Sequence, residues 1–107
     1  MKKFSELEVN EQVFFKGDKN PYIIKAKGGN FLIAVTQSGD SYTIIDVEKE
    51  ICGPHDRVIN IYDFSKQDDI DNLLVDLINQ KYGIGISGRY GAKVSEVIDL
   101  RKTLSQQ

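Results

Sequence analysis

A single cysteine, Cys52, and a single histidine, His55, leave few routes to metal or redox chemistry in this chain of 107 residues. One thiol cannot close an internal disulfide, and one Cys with one His supplies two ligands where a closed zinc site takes four. The chain has no apolar run near the ~20 residues that a membrane-spanning helix needs. It opens "MKKFSELEVNEQ", with Glu6 and Glu8 where a secretory leader would carry an apolar stretch. These absences imply a reducing compartment, the cytoplasm, and no membrane partner. No calcium loop is legible, because alternating oxygen donors with a central Gly and a terminal Glu do not occur together. The residues imply no cofactor.

Charge of one sign is also in short supply, since 14 basic residues face 16 acidic ones. The distribution is uneven. Residues 12–36 carry Lys16, Lys19, Lys25 and Lys27 against Asp18, residues 37–80 carry three basic residues against ten acids, and the tail from Lys81 is basic again. An acidic middle third between basic flanks keeps a protein soluble, and it also offers a face to a basic partner.

The first half is rich in β-branched and aromatic residues. "QVFFK", "PYIIKAK", "NFLIAVT" and "SYTIIDV" are separated by Gly, Asn, Asp and Ser, the pattern of four short strands in a meander. Gly28-Gly29 is expected as a two-residue hairpin loop with positive φ. Counting outward pairs Lys27 with Asn30 and Ala26 with Phe31, so that Tyr22, Ile24, Ala26, Phe31, Ile33 and Val35 share one apolar face and Lys25 and Lys27 lie on the other. "RVINIY" reads as a fifth strand, reached through the turn "ICGPHDR" with Cys52 packed and His55 exposed.

Beyond Phe64 the period changes. Ile70, Leu73, Leu74, Leu77 and Ile78 follow the spacing of one helix face, with Ser65 as N-cap and Asp68, Asp69 and Asp71 in the first turn, where the helix dipole favours carboxylates. Residues 93–104 fit a strand or a helix, and a short strand on the barrel edge is expected. The predicted fold class is therefore α+β: one domain over residues 1–107, with a small five-stranded antiparallel SH3-like barrel or meander (about 12–62), one amphipathic helix (about 66–80), a Gly-rich connection and tail (83–107) and a short C-terminal element.

Two motifs mimic known sites. "GIGISG" at Gly83, Gly85 and Gly88 matches the dinucleotide fingerprint, but a helix precedes it and no βαβ unit fits after it, so it reads as a connection with Gly83 as helix C-cap. "CGPH" has His55 at the position of the second redox cysteine, and strand-like residues follow it where a helix would be needed. A Cys52/His55 nucleophile pair has no third group to orient it.

The runs "YTIIDVEKEICGPHDRV" and "YDFSKQDDIDNLLVDL" together resemble a pattern in small phage and prophage proteins that have no assigned activity. The likeness spans about residues 10–80, and Gly53, Pro54 and Arg57 accompany its strand-turn-strand-helix order. It implies an accessory protein that acts on a host component, and it transfers no catalytic residue.

The expected function is a non-enzymatic binding module for a host protein. Its expected surface joins the acidic helix side, Asp69, Asp71 and Asp76, to Arg89 and Tyr90 in the Gly-rich connection. The alternative is a nucleic-acid-binding small barrel, with Lys16, Lys19, Lys25 and Lys27 on phosphates among Phe14, Phe15, Tyr22 and Phe31.

Overall fold

A computed structural model describes residues 3–54, 61–82 and 92–104. After a short 3₁₀ turn at Phe4–Glu6, the chain forms β1 (Gln12–Val13), β2 (Tyr22–Gly28), β3 (Phe31–Thr36), β4 (Tyr42–Asp46) and β5 (Ile51–Gly53). Helix α1 (Gln67–Ile78) follows, then β6 (Ala92–Lys93), α2 (Val94–Val97) and α3 (Leu100–Leu104). The strands make one antiparallel sheet in the order β1-β2-β3-β4-β5-β6, so each pairs with its neighbour in sequence, as a meander does.

The sheet curls into a half-barrel. Its two edges are linked through the C-terminal segment, where Phe15 bridges Ile98, the Lys16 N–H donates to the Val97 carbonyl at 3.0 Å and the Asp99 N–H to that of Phe14 at 2.8 Å. The buried Thr103 hydroxyl accepts the Phe14 N–H at 2.9 Å. Asp99 fixes α3 in turn, by accepting the Lys102 N–H as an N-cap does.

Both faces of the sheet are covered, which corrects the expectation of a single apolar face. On one face Ala26, Ile33, Val35, Tyr42 and Ile44 pack against Ile70, Leu73 and Leu77 of α1, with Tyr62, Phe64 and Tyr82 beside them. On the other, Val13, Ile24, Leu32, Ala34, Ile45 and Cys52 pack against Phe4, Leu7, Val94 and Ile98. Strands buried on two sides read as continuous apolar runs, which explains "FLIAV" and "YTII".

Strand β2 serves both clusters because its register slips between Ile24 and Ala26. Ile24 lies opposite Ala34, whereas Ala26 lies opposite Ile33. The extra residue, Lys25, resets the alternation, so Tyr22 and Ile24 turn to the second cluster while Ala26 joins Phe31, Ile33 and Val35 on the first. The hairpin is displaced as well: Gly28 pairs with Phe31, and the two loop residues are Gly29 and Asn30. Gly29 alone of the two glycines has positive φ, at +54°. Gly28 serves a different need, for a Cβ there would lie 3.1 Å from the tips of Leu74 and Ile78 on α1.

Other boundaries also move. The fifth strand is Ile51–Gly53, which places Cys52 in the sheet and not in a turn; residues 57–60 lie outside the described residues, and Ile61 and Tyr62 belong to no strand. Ser65 does not cap α1. The N-cap is Lys66, with no side-chain cap bond, and the Ser65 hydroxyl instead donates to Asp63 Oδ1 at 2.5 Å. Ile78 is 45% exposed at the rim of the helix contact. The segment expected as an edge strand pairs through Ala92 and Lys93 and at the isolated Phe15–Ile98 bridge, and is helical at Val94–Val97 and Leu100–Leu104. Gly83 falls outside the described residues.

These placements separate three substitutions in urea melts. Gly29→Ala is expected to cost ~1 kcal/mol through its left-handed φ. Ile24→Ala and Ile33→Ala should each cost ~2–5 kcal/mol, although they face opposite clusters. A neutral Ile24→Ala would contradict the second core.

Candidate functional site

The acidic residues of α1 are largely committed to holding local structure. Asp69 Oδ2 accepts the backbone N–H of Asp63 at 2.7 Å, which ties the preceding turn to the helix. Asp71 Oδ1 accepts from Gln67 Nε2 at 2.9 Å, and the same amide donates to the Lys25 carbonyl at 2.8 Å, so the helix start is pinned to the bulge. Asp76 accepts the Tyr62 hydroxyl, and Tyr62 in turn lies 3.0 Å from the Tyr82 hydroxyl. Burial first, and then the Asp76 carboxylate and Tyr82, hold the Tyr62 phenol well above its ordinary range. Asp71 is the one of the three that is fully on the surface. Arg89 and Tyr90 lie outside the described residues, as does His55.

The four lysines do not form one basic stripe. Lys27 Nζ pairs with Glu8 at 3.0 Å, and Lys16 Nζ donates to the Ser95 carbonyl at 3.0 Å, near the seam that joins the edges of the sheet. Lys25 is half-buried at the bulge and Lys19 is exposed in the turn before β2. The aromatic residues among them are dispersed too: Phe14 is buried beneath Lys102, whose Nζ lies 4.3 Å from the ring centre, and Phe31 packs toward α1.

Phe15 and Tyr22, in contrast, open onto a cleft of about 500 Å³ at one end of the sheet. Antiparallel order brings the start of β2, the β3–β4 hairpin and the end of β5 to that end, and the turn before α1 closes the far side. Two aromatic pairs stand in its wall: Phe15 and Tyr22, with ring centres 4.9 Å apart, and Tyr42 and Phe64, stacked at 3.9 Å and 8°. The Tyr22 hydroxyl is held at 2.8 Å from Ser41 Oγ.

Two carboxylates, Asp40 and Asp63, also line the cleft. Hydroxyls fix both. Ser38 Oγ donates to Asp40 Oδ1 at 2.7 Å and Thr36 Oγ1 donates to the same atom at 3.0 Å, while Ser65 donates to Asp63 Oδ1 through both its N–H and its hydroxyl. These bonds hold each carboxyl below the usual carboxylate range. Both groups are charged at neutral pH, and neither has an ion-pair partner among the described residues.

The hairpin geometry is set by Gly39, with φ +78°; a Cβ there would lie 3.0 Å from the Ser65 backbone, so the two acidic turns are packed directly together. Thr43 also lines the cleft, and its hydroxyl is a buried polar group with no hydrogen-bond partner among the described residues. It neighbours Cys52, since Ile45 pairs with Cys52 and Thr43 is two residues earlier on the same strand face. Burial pushes the Cys52 thiol up to about 11, against a smaller opposing pull from Thr43. The two groups are neighbours, but no hydrogen bond of ordinary geometry joins them. A buried, protonated thiol is inert chemistry.

Sequence reasoning missed this cleft. Its residues are spread from Phe15 to Phe64, and the one local signal is the turn "TQSGDSY", whose hydroxyl and carboxylate spacing reads simply as turn chemistry. Among the described residues no cluster of three or more His, Cys, Asp or Glu could hold a metal, and no helix is long and apolar enough to cross a membrane. Comparison with protein-family models, curated proteins and solved structures returns no match.

Cys52 gives a direct check on this end of the second core. Iodoacetamide at about pH 8 should alkylate it in the native protein at least about a hundredfold more slowly than in concentrated urea, as burial and a raised thiol pKa require. Equal rates would mean that Cys52 is not packed as described.

Proposed function

We propose that the chain is a small non-enzymatic binding module and that the aromatic, acidic cleft at the end of its sheet is the binding site. The observation that carries this reading is the cleft itself: aromatic walls with fixed polar groups at the rim, held on strand ends and tight turns. Binding sites commonly combine a concave, largely apolar lining with a few placed polar atoms. The helix acids Asp69 and Asp76 contribute less in this reading, because hydrogen bonds within the protein already use them.

The curled six-stranded sheet supports a relation to SH3-like small barrels. The likeness to phage and prophage sequences supports a host protein as partner and the cytoplasm as the place of action. A nucleic-acid surface has less support, because Lys16 and Lys27 have partners elsewhere and the lysines do not converge on the cleft.

Selection from a random peptide display library tests the reading. The purified protein should enrich a consensus peptide, and that peptide should shift the backbone amide resonances of Tyr22, Ser41, Thr43 and Gly53. Failure to enrich any consensus, or shifts confined to the exposed side of α1 around Asp71, would refute it.

A further inference from the structure

The charge and shape of the cleft specify more than a generic groove. Among the described residues five aromatic rings, from Phe15, Tyr22, Tyr42, Tyr62 and Phe64, line it, and the acidic residues in that lining are Asp40 and Asp63. No lysine or arginine lines the cleft among the described residues. Among the described residues the rim of the site is anionic and its walls are π-rich, an environment that attracts a cation through both Coulomb and cation–π terms.

Three acceptors are available to it. Asp40 and Asp63 each spend Oδ1 on neighbouring hydroxyls, whereas no hydrogen bond to Oδ2 of either residue is present among the described residues. The third is the Thr43 hydroxyl, 2% exposed as a residue, beside Cys52 and without a hydrogen bond of ordinary geometry among the described residues. A buried hydroxyl left unsatisfied is costly and calls for a physical explanation. A ligand donor entering the cleft would provide one.

Resting on the reading of the cleft as the binding site, we infer that it takes the guanidinium group of an arginine side chain presented by a partner protein. A guanidinium offers five N–H donors in a plane and stacks on aromatic rings, so it can meet acceptors at the rim and floor while its faces lie against the walls. An ammonium is a compact, strongly hydrated charge with three donors and no face to stack, and it uses this lining less well. The turns that hold Asp40 and Asp63 are preformed by their own hydroxyl bonds, so little ordering is needed on binding.

The experiment is a ¹H–¹⁵N titration of the full chain with three capped tripeptides that differ only in the central residue: arginine, its neutral isostere citrulline, or lysine. The arginine peptide should give saturable shifts at Ser41, Thr43, Gly53 and Asp63. Citrulline should weaken binding by about tenfold or more, and lysine should bind more weakly than arginine. The doubly substituted Asp40→Asn/Asp63→Asn chain retains acceptors for the Ser38, Thr36 and Ser65 hydroxyls, so its spectrum should remain that of the folded protein while arginine binding falls by about tenfold or more. Citrulline binding as tightly as arginine, an unweakened double variant, shifts away from the cleft, or no shifts at millimolar arginine peptide would each overturn the inference. Lysine binding as tightly would overturn the guanidinium assignment. A display consensus that maps to the cleft but contains no arginine would refute this inference and leave the binding-module reading standing, so the two can fail separately.

Discussion

The bulge at Lys25 sets what the rest of the fold must do. A strand alternates its side chains strictly, so Ile24 and Ala26 in regular register would lie on one face; the slip between them sends Ile24 to the α3-side cluster and Ala26 to the α1-side cluster. One strand thereby feeds two cores, and the sheet cannot remain one-sided. A bulge also bends its strand and increases the local twist, which favours the curl that brings the Phe15 end of the sheet to Ile98. The irregular backbone is not left unsatisfied, because Gln67 at the start of α1 donates to the Lys25 carbonyl. Helix, bulge and hairpin thus form one unit, with Gly28 and Gly29 leaving room for Leu74 and Ile78 above them.

The cleft depends on the same arrangement. Tyr22 leads into β2 with its ring toward the second cluster, in partial contact with Phe15, because of the register established at the bulge. Tyr42 belongs to the opposite face, where it stacks on Phe64. Aromatic residues from both faces consequently meet around the end of the sheet, and the Gly39 and Asp63 turns add carboxylates there. The proposed chemistry of the site is a consequence of strand ends and turns, and it needs no residue from the middle of the sheet other than Thr43.

Much of the scaffold was legible because it is written in local periodicity. The four-strand meander, helix α1 with Ile70, Leu73 and Leu77 inward, and a packed Cys52 all follow from alternation, from 3.6-residue spacing or from apolar character. The hairpin register was not, since two adjacent glycines allow a loop of Gly28-Gly29 or of Gly29-Asn30, and only the packing of α1 over Gly28 selects between them. The bulge has no residue signature at Lys25. Val94–Leu104 was ambiguous because its short helices are stabilised by distant partners, Phe14 with Thr103 and Phe15 with Ile98. Asp69 and Asp76 looked like surface charge until their acceptor roles toward Asp63 and Tyr62 were visible, and the cleft is assembled from positions nearly fifty residues apart, Phe15 to Phe64.

The register of β2 against β3 tests the central claim most directly. Cross-strand nuclear Overhauser effects in the uniformly labelled protein should connect Ile24 with Ala34 and Ala26 with Ile33, with Lys25 unpaired between them and Gly28 opposite Phe31. An uninterrupted ladder with Ala26 opposite Phe31 and Ile24 opposite Ile33 would contradict the account, because Ile24 and Ala26 would then share a face and the sheet would have no means of dividing its apolar residues between two cores.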